Sequence, residues 1–242
     1  LLVDGSINAP SGPNVYSTLQ GAIDAAADGD IIHVAPAPGG YDAITIEGKS
    51  VKIYGPGYFV GNIGWNHIEV GDDTGGTDVS IVGPAASGTE IYGLELNFIR
   101  PLNADTSTPL DDVVIARCVF DGLERDEPGS GTVSNLVLRN NLVRQRIQTR
   151  NFGGGGSISN LIVANNLLMG SFITSFGAPH QIYNNLFSGS AAEFDNSDLS
   201  NNIFHGVQLD SCLNFGICEN NSFSNNIFHE TGADDHDFGA DP

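Results

Sequence analysis

Between residues 113 and 230 the chain repeats one pattern of apolar and polar positions six times: "VVIARCVFDG", "LVLRNNLVRQ", "LIVANNLLMG", "HQIYNNLFSG", "SDLSNNIFHG" and "NSFSNNIFHE". Aligned on the second residue of the central pair, the equivalent positions are Cys118, Asn141, Asn166, Asn185, Asn202 and Asn226, spaced 17 to 25 residues apart. Three residues earlier stand Ile115, Leu138, Val163, Ile182, Leu199 and Phe223, all large and apolar. The next column is mixed: Ala116, Arg139, Ala164, Tyr183, Ser200 and Ser224. An apolar column beside a mixed one marks a strand with one buried face. After the pair two apolar columns follow in succession, Val119, Leu142, Leu167, Leu186, Ile203 and Ile227, then Phe120, Val143, Leu168, Phe187, Phe204 and Phe228. Neighbouring side chains on a flat strand alternate faces, so the chain must turn a corner at the pair. Asn is the side-chain-bearing residue that best tolerates the left-handed conformation such a corner needs. Equivalent amides stacked about 4.8 Å apart hydrogen-bond as a ladder. The pattern therefore predicts a corner copied once per coil, with Leu142, Leu167 and Leu186 among the residues lining the interior.

The repeat length varies too much for helical repeats, and apolar residues do not recur at 3.6 spacing. Strand-and-corner coils tolerate loops of variable length because each coil touches only its neighbours. Upstream, Leu19, Ala22, Ile23 and Ala26 form one apolar stripe at helical spacing, preceded by the possible caps Ser17 and Thr18 and ended by "DGD". "IIHVAP", "AITIEG" and "VKIYGPG" then read as strands. This order over residues 16–57 resembles the amphipathic helix that caps pectate-lyase-like right-handed parallel β-helix proteins, and the Asn-cornered coils extend the resemblance to about residue 228. The expected fold is all-β, a right-handed parallel β-helix (solenoid) with a short N-terminal amphipathic capping helix. It is expected to form a single unit over 1–242, with the cap at about 14–50 and the Asn-cornered coils at about 110–230. "VSIVGPA" (79–85) and "EIYGLEL" (90–96) read as further strand-corner units with Gly at the bend, and loops are expected at 71–76, 101–112, 123–131 and 151–157.

Charge narrows the partners. With 29 acids against 9 bases the formal net charge is −20, a field that repels nucleic acid and anionic membranes. No run of 18 apolar residues offers a membrane span. Only Lys49 and Lys52 are lysines, amid abundant Asp, Asn and Gly, a composition that points to an extracellular or cell-surface setting. Cys212 and Cys218 are close enough in sequence to close a disulfide loop, while Cys118 in the Asn column reads as a small buried hydrophobe.

Six of the nine basic residues fall between positions 117 and 150. In "RQRIQTR" (144–150), Arg144, Arg146, Gln148 and Arg150 alternate with Gln145, Ile147 and Thr149, which on a strand places three guanidinium groups on one face. Such forks match carboxylate and sulfate groups, so Arg139, Arg144, Arg146 and Arg150 are candidate ligands for an extended, anionic carbohydrate. The competing reading is a stabilising charge stack, with Asp121 under Arg144. The resemblance to pectate-lyase-like lyases implies Arg144 or Arg146 as catalytic base and calcium as cofactor, with Asp121 and Asp126 as its ligands. The NTD, DD, GHG and RIK blocks of the hydrolase branch do not occur together. His205 and His229 share an outward column and are a candidate metal pair. Asp234, Asp235, Asp237 and Asp241 in the tail offer hard oxygen ligands suited to calcium. Two functions follow: a secreted or cell-surface module that binds polysaccharide or serves as a stiff structural or adhesive element, or a lyase or epimerase acting on an acidic glycan.

Overall fold

A computed structural model of the protein describes residues 1–6, 12–37, 40–57, 69–70, 79–124, 131–149, 157–174, 179–189, 191–194, 196–209 and 221–233. The chain coils because each repeated pair divides two tasks. Its first residue, Arg117, Asn140, Asn165, Asn184, Asn201 or Asn225, has φ between 54° and 57°, the left-handed bend. Its second residue turns inward, and Asn141, Asn166, Asn185 and Asn202 are buried. Each Oδ1 accepts the backbone N–H of the equivalent residue one coil earlier, from Cys118 to Asn141 (2.9 Å), Asn141 to Asn166 (2.8 Å), Asn166 to Asn185 (2.8 Å), Asn185 to Asn202 (2.9 Å) and Asn202 to Asn226 (2.8 Å). Each Nδ2 donates to a carbonyl in the strand of that earlier coil, those of Ile115, Leu138, Val163, Ile182 and Leu199. The strain of the corner thus falls on the first Asn and the ladder on the second.

A second bend precedes four of these corners and the equivalent one at Gly93. Gly88, Asp112, Asn135, Asn160 and Asn196 also have positive φ, each five residues before Gly93, Arg117, Asn140, Asn165 and Asn201. Two left-handed residues therefore bracket the short strand between them.

Stacking these coils produces a right-handed parallel β-helix, with sheets of 11, 14 and 3 strands among the described residues, all of their pairings parallel. The 11-stranded sheet runs from the edge strand Val15–Tyr16 to Ser222–Ser224. Its inward column reads Ile32, Ile53, Ile91, Ile115, Leu138, Val163, Ile182, Leu199 and Phe223 in continuous register. The first eight of these are fully buried, each worth about 1.5–3 kcal/mol of transfer free energy. The 14-stranded sheet contributes Leu96, Phe120, Val143, Leu168, Phe187, Phe204 and Phe228, and the 3-stranded sheet Leu110, Val133 and Ile158. Phe187 stacks on Phe204 at 4.6 Å and Phe204 on Phe228 at 5.0 Å.

The expected facing of Leu142, Leu167 and Leu186 is corrected. They point outward: Leu142 and Leu167 are half-buried, Leu186 is 38% exposed, and Ile203 and Ile227 in the same column reach 42% and 58%. The bend lies one residue before the buried Asn, so from that Asn onward ordinary alternation resumes: Asn in, aliphatic out, and the column from Phe120 to Phe204 in, while Phe228 on the last described coil shares their register but is 38% exposed.

At the N-terminal end the helix Leu19–Ala25 buries Leu19, Ala22 and Ile23, as the stripe requires. Thr18 is its N-cap, its Oγ1 accepting from the Gly21 N–H at 3.1 Å. The Lys49 ammonium closes the other end by donating to the carbonyls of Ile23, Asp24 and Ala26, where the helix dipole favours a cation. The loop expected at 101–112 is shorter than proposed, because Glu95–Leu102 extends into it and Leu110–Asp111 forms a strand of the third sheet. Val119–Glu124 likewise enters the loop expected at 123–131. The expected loops at 71–76 and, but for Ser157, at 151–157 lie outside the described residues. Among the described residues no helix is long and apolar enough to cross a membrane.

Candidate functional site

The sequence-flagged arginines Arg144 and Arg146 sit on the strand Leu142–Gln148, which does not alternate as its sequence suggests. Its register against Val119–Glu124 shifts between Phe120 and Gly122, so that Asp121 faces both Arg144 and Gln145. This β-bulge leaves Arg144, Gln145 and Arg146 all exposed and returns Ile147 and Thr149 to the interior. Gln145 therefore does not share the inward face with Ile147. Arg144 donates from Nε to Asp121 Oδ1 (2.5 Å) and from Nη1 to Glu95 Oε1 (2.5 Å), and Gln145 Nε2 donates to Asp121 Oδ2 (2.7 Å). Partial burial works against the Arg144 charge, but its bonds to Glu95 and Asp121 outweigh that and hold its pKa above the ordinary value. Arg146 pairs with the buried Glu124, which also faces Arg100 Nη2 at 3.5 Å, and the Arg146 guanidinium lies 5.6 Å over the Phe98 ring. Both Asp121 oxygens are engaged by side chains of the next coil. Asp126 and Arg150 lie outside the described residues, as do Cys212, Cys218 and the acidic tail from Asp234. Cys118 is a free thiol inside the core, and burial pushes its pKa up to about 12.

Arg139 belongs to a different place. On the outward face of the 11-stranded sheet the residues in register are His33, Tyr54, Tyr92, Ala116, Arg139, Ala164 and Tyr183. Tyr54 and Tyr92 stack at 4.9 Å with 6° between their rings, and His33 continues the stack at 5.9 Å. Ala116 then interrupts the column with a side chain too short to fill its level. Arg139, from the coil beyond, leans across this gap and donates from Nη2 to the Tyr92 hydroxyl at 3.5 Å. The result is an open cleft of about 470 Å³, lined by Tyr54, Tyr92, Ala116, Arg117, Arg139, Asn140 and the backbone of Gly55 to Gly57 and Gly93. That volume falls in the range of roughly 300–1,000 Å³ found for small-molecule sites. Its floor needs glycine: a β-carbon on Gly55 would overlap the Gly93 carbonyl, and Gly93 itself bends at φ 66°.

The charges around this cleft are unequal. Glu90 accepts from Lys52 Nζ (2.6 Å) and from the Tyr92 hydroxyl (2.5 Å), and these bonds hold its carboxyl below the usual carboxylate range. Burial, together with Glu90, pushes the Tyr92 phenol up, so it stays a neutral donor. Lys52, Arg100, Arg144 and Arg146 each pair with an acid. Among the described residues Arg117 and Arg139 make no direct ion pair, although the Arg139 charge helps hold the Glu90 carboxyl down.

No protein-family model, curated protein or solved structure matches the chain. The chemistry of the cleft is thus read from its own side chains: two guanidinium forks beside a phenol and an aromatic wall, presented to solvent across neighbouring coils. Sequence reasoning found Arg139 but missed Arg117, Tyr54 and Tyr92. The available signal was the repeated tripeptide Ile-Tyr-Gly at 53–55 and 91–93, whose Ile and Tyr residues pair one for one.

Proposed function

We propose that the protein is a non-catalytic β-helix module that binds an extended acidic polysaccharide at the cleft formed by Tyr54, Tyr92, Arg117 and Arg139. The observation that carries this reading is that, among the described residues, Arg117 and Arg139 form no ion pair with an acid, in a chain of net charge −20. In so acidic a protein a cation without a carboxylate partner is available to a carboxylate or sulfate from outside, and each charge-assisted hydrogen bond contributes about 1.5–3 kcal/mol. Long-range repulsion of a polyanion is screened beyond about 10 Å at 0.1 M salt, so contacts at the cleft decide binding. A rigid stack of coils suits a ligand that is itself a linear repeat. The capping helix and the coils support placing the chain with the pectate-lyase-like superfamily, and the acid-rich, lysine-poor composition supports an extracellular or cell-surface setting.

The lyase or epimerase alternative needs a base. Arg144 and Arg146 are held by acids, and the pairing of Arg144 tightens its proton rather than loosening it. Calorimetric titration with oligogalacturonate and alginate oligomers, against a neutral glucan of equal length, tests the proposal. Binding is expected for the acidic oligomers only, weakened about tenfold by Arg139→Ala, a loss of about 1.4 kcal/mol, and little changed by Arg144→Ala. Unchanged affinity in an Arg117→Ala, Arg139→Ala double variant contradicts the cleft. Growth of unsaturated-product absorbance contradicts the non-catalytic reading.

A further inference from the structure

We propose that His205, His229 and Glu230 form a binding site for a divalent transition metal of the zinc, nickel and copper class, independent of the glycan cleft. The strands Ile203–His205 and Ile227–His229 pair with His205 directly opposite His229, on the outward face of the 14-stranded sheet. Their rings stack with centroids 5.0 Å apart and 30° between planes, yet their Nδ1 atoms lie only 3.0 Å apart. The rings therefore converge on their Nδ1 edges. Two imidazole nitrogens bound to one ion at 2.0–2.1 Å and separated by 3.0 Å subtend roughly 94° at the metal, and opening them to about 3.3 Å gives the tetrahedral angle.

The third donor is placed by an unusual backbone. At this corner the preceding coils use Gly189 (φ 94°) and Gly206 (φ 62°), whereas the last described coil keeps Glu230 at φ 54°. A side chain in the left-handed region costs about 1–2 kcal/mol relative to glycine. The bend breaks strand alternation, so the Glu230 carboxylate joins the side on which His229 already stands. One donor atom from each of the three residues lies within 4.8 Å of the others, and all three residues are exposed. Two imidazoles and a carboxylate suit zinc, nickel or copper rather than calcium or magnesium, which take oxygen ligands. A fourth position remains open to water or to a donor from another molecule. Such an ion would clamp together two coils whose histidines are 24 residues apart in the chain.

Titration of the untagged, full-length protein with Zn(II) and with Co(II), followed by calorimetry and by the cobalt absorption bands, tests the site. One ion per chain is expected to bind at this site, with no competition from Ca(II) or Mg(II). His205→Ala and His229→Ala are each expected to lower affinity more than about 100-fold, beyond the 10–100-fold range of changes outside the ligand shell. Glu230→Gly separates a ligand from a structural role: it should weaken metal binding at least tenfold while raising, or leaving unchanged, the melting temperature of the metal-free protein. Absence of saturable binding overturns the proposal, as does binding that survives both histidine substitutions, which would place the ion elsewhere in the chain.

Discussion

Replacing Asn185 by Leu tests the ladder where it is most completely formed. Asn185 is buried, and its Oδ1 accepts from the Asn166 backbone N–H (2.8 Å) and from Asn166 Nδ2 (3.0 Å). Its Nδ2 donates to the carbonyls of Val163 (2.8 Å) and Tyr183 (3.0 Å) and to Asn202 Oδ1 (3.0 Å). Leucine has the same branched skeleton of four heavy atoms as asparagine and is bulkier, so none of the cost comes from a cavity. The dominant loss is the Asn166 N–H, left in the core without an acceptor at about 1–3 kcal/mol, with roughly 0.5–1.5 kcal/mol more for the bond to Val163. The Tyr183 carbonyl keeps the Asn165 N–H at 3.1 Å and adds little. The expected total is about 2–4 kcal/mol, read as a lowered urea midpoint in far-UV circular dichroism, with faster hydrogen exchange at the Asn166 amide. Two controls bracket it. Asn184→Gly preserves the left-handed bend, and Ser224→Leu falls on an exposed outward position; each should change stability by no more than about 0.5 kcal/mol. An Asn185→Leu midpoint equal to that of Ser224→Leu would refute the division of tasks within the Asn pair.

Three further outcomes follow from the same geometry. Gly170→Ala puts a β-carbon onto the Gln145 carbonyl across the bulge and should cost more than Gly48→Ala, where space is open and only the φ of 75° is penalised by about 1 kcal/mol; thermal unfolding of the two variants checks the order. Because the Glu90 carboxyl is held below its ordinary value, mainly by the hydrogen bond from Lys52, it stabilises the fold above the unfolded carboxylate range and loses that contribution as pH falls below about 4.5; Glu90→Gln should flatten this acid limb in a pH series of urea midpoints. Cys118, fully buried with a thiol pKa of about 12, should resist iodoacetamide in the native protein and be alkylated only on unfolding, as peptide mass spectrometry would read.

The coil architecture was legible because two independent patterns coincide at each repeat: an apolar column beside a mixed one, and an Asn pair at the end of the strand. Which of the two following apolar columns faces inward was not legible, since Leu142 and Val143 are chemically alike and only the position of the bend decides between them. The pattern placed the corner at the Asn pair without deciding which residue bends, and it is the first of each pair that carries the left-handed φ. The first-sheet column extends back through Ile32, Ile53 and Ile91, where Gly93 replaces the first Asn and hides the frame. The bends five residues upstream carried a readable sign, Asn135 before Asn140 and Asn160 before Asn165. The bulge on the strand Leu142–Gln148 had only an indirect one, the glycines Gly122 and Gly170 on either side of it, where neighbouring backbones leave no room for a β-carbon. As for the site, the arginine-rich stretch drew attention to Arg144 and Arg146, and Asp121 does lie against Arg144. The cleft escaped notice because its aromatic wall comes from residues 54 and 92 while its cations come from 117 and 139. That proximity arises from stacking alone, and no local spacing encodes it.

The hydrogen bonds of the Asn column can be observed one by one. Long-range scalar couplings across N–H···O=C bonds, recorded on deuterated, isotope-labelled protein, should connect the backbone nitrogens of Cys118, Asn141, Asn166, Asn185 and Asn202 with the side-chain carbonyl carbons of Asn141, Asn166, Asn185, Asn202 and Asn226 respectively. Detection of these couplings in that order is the predicted result. Couplings from these amides to backbone carbonyls instead, or amides that exchange freely with solvent, would contradict coils stacked on an asparagine ladder.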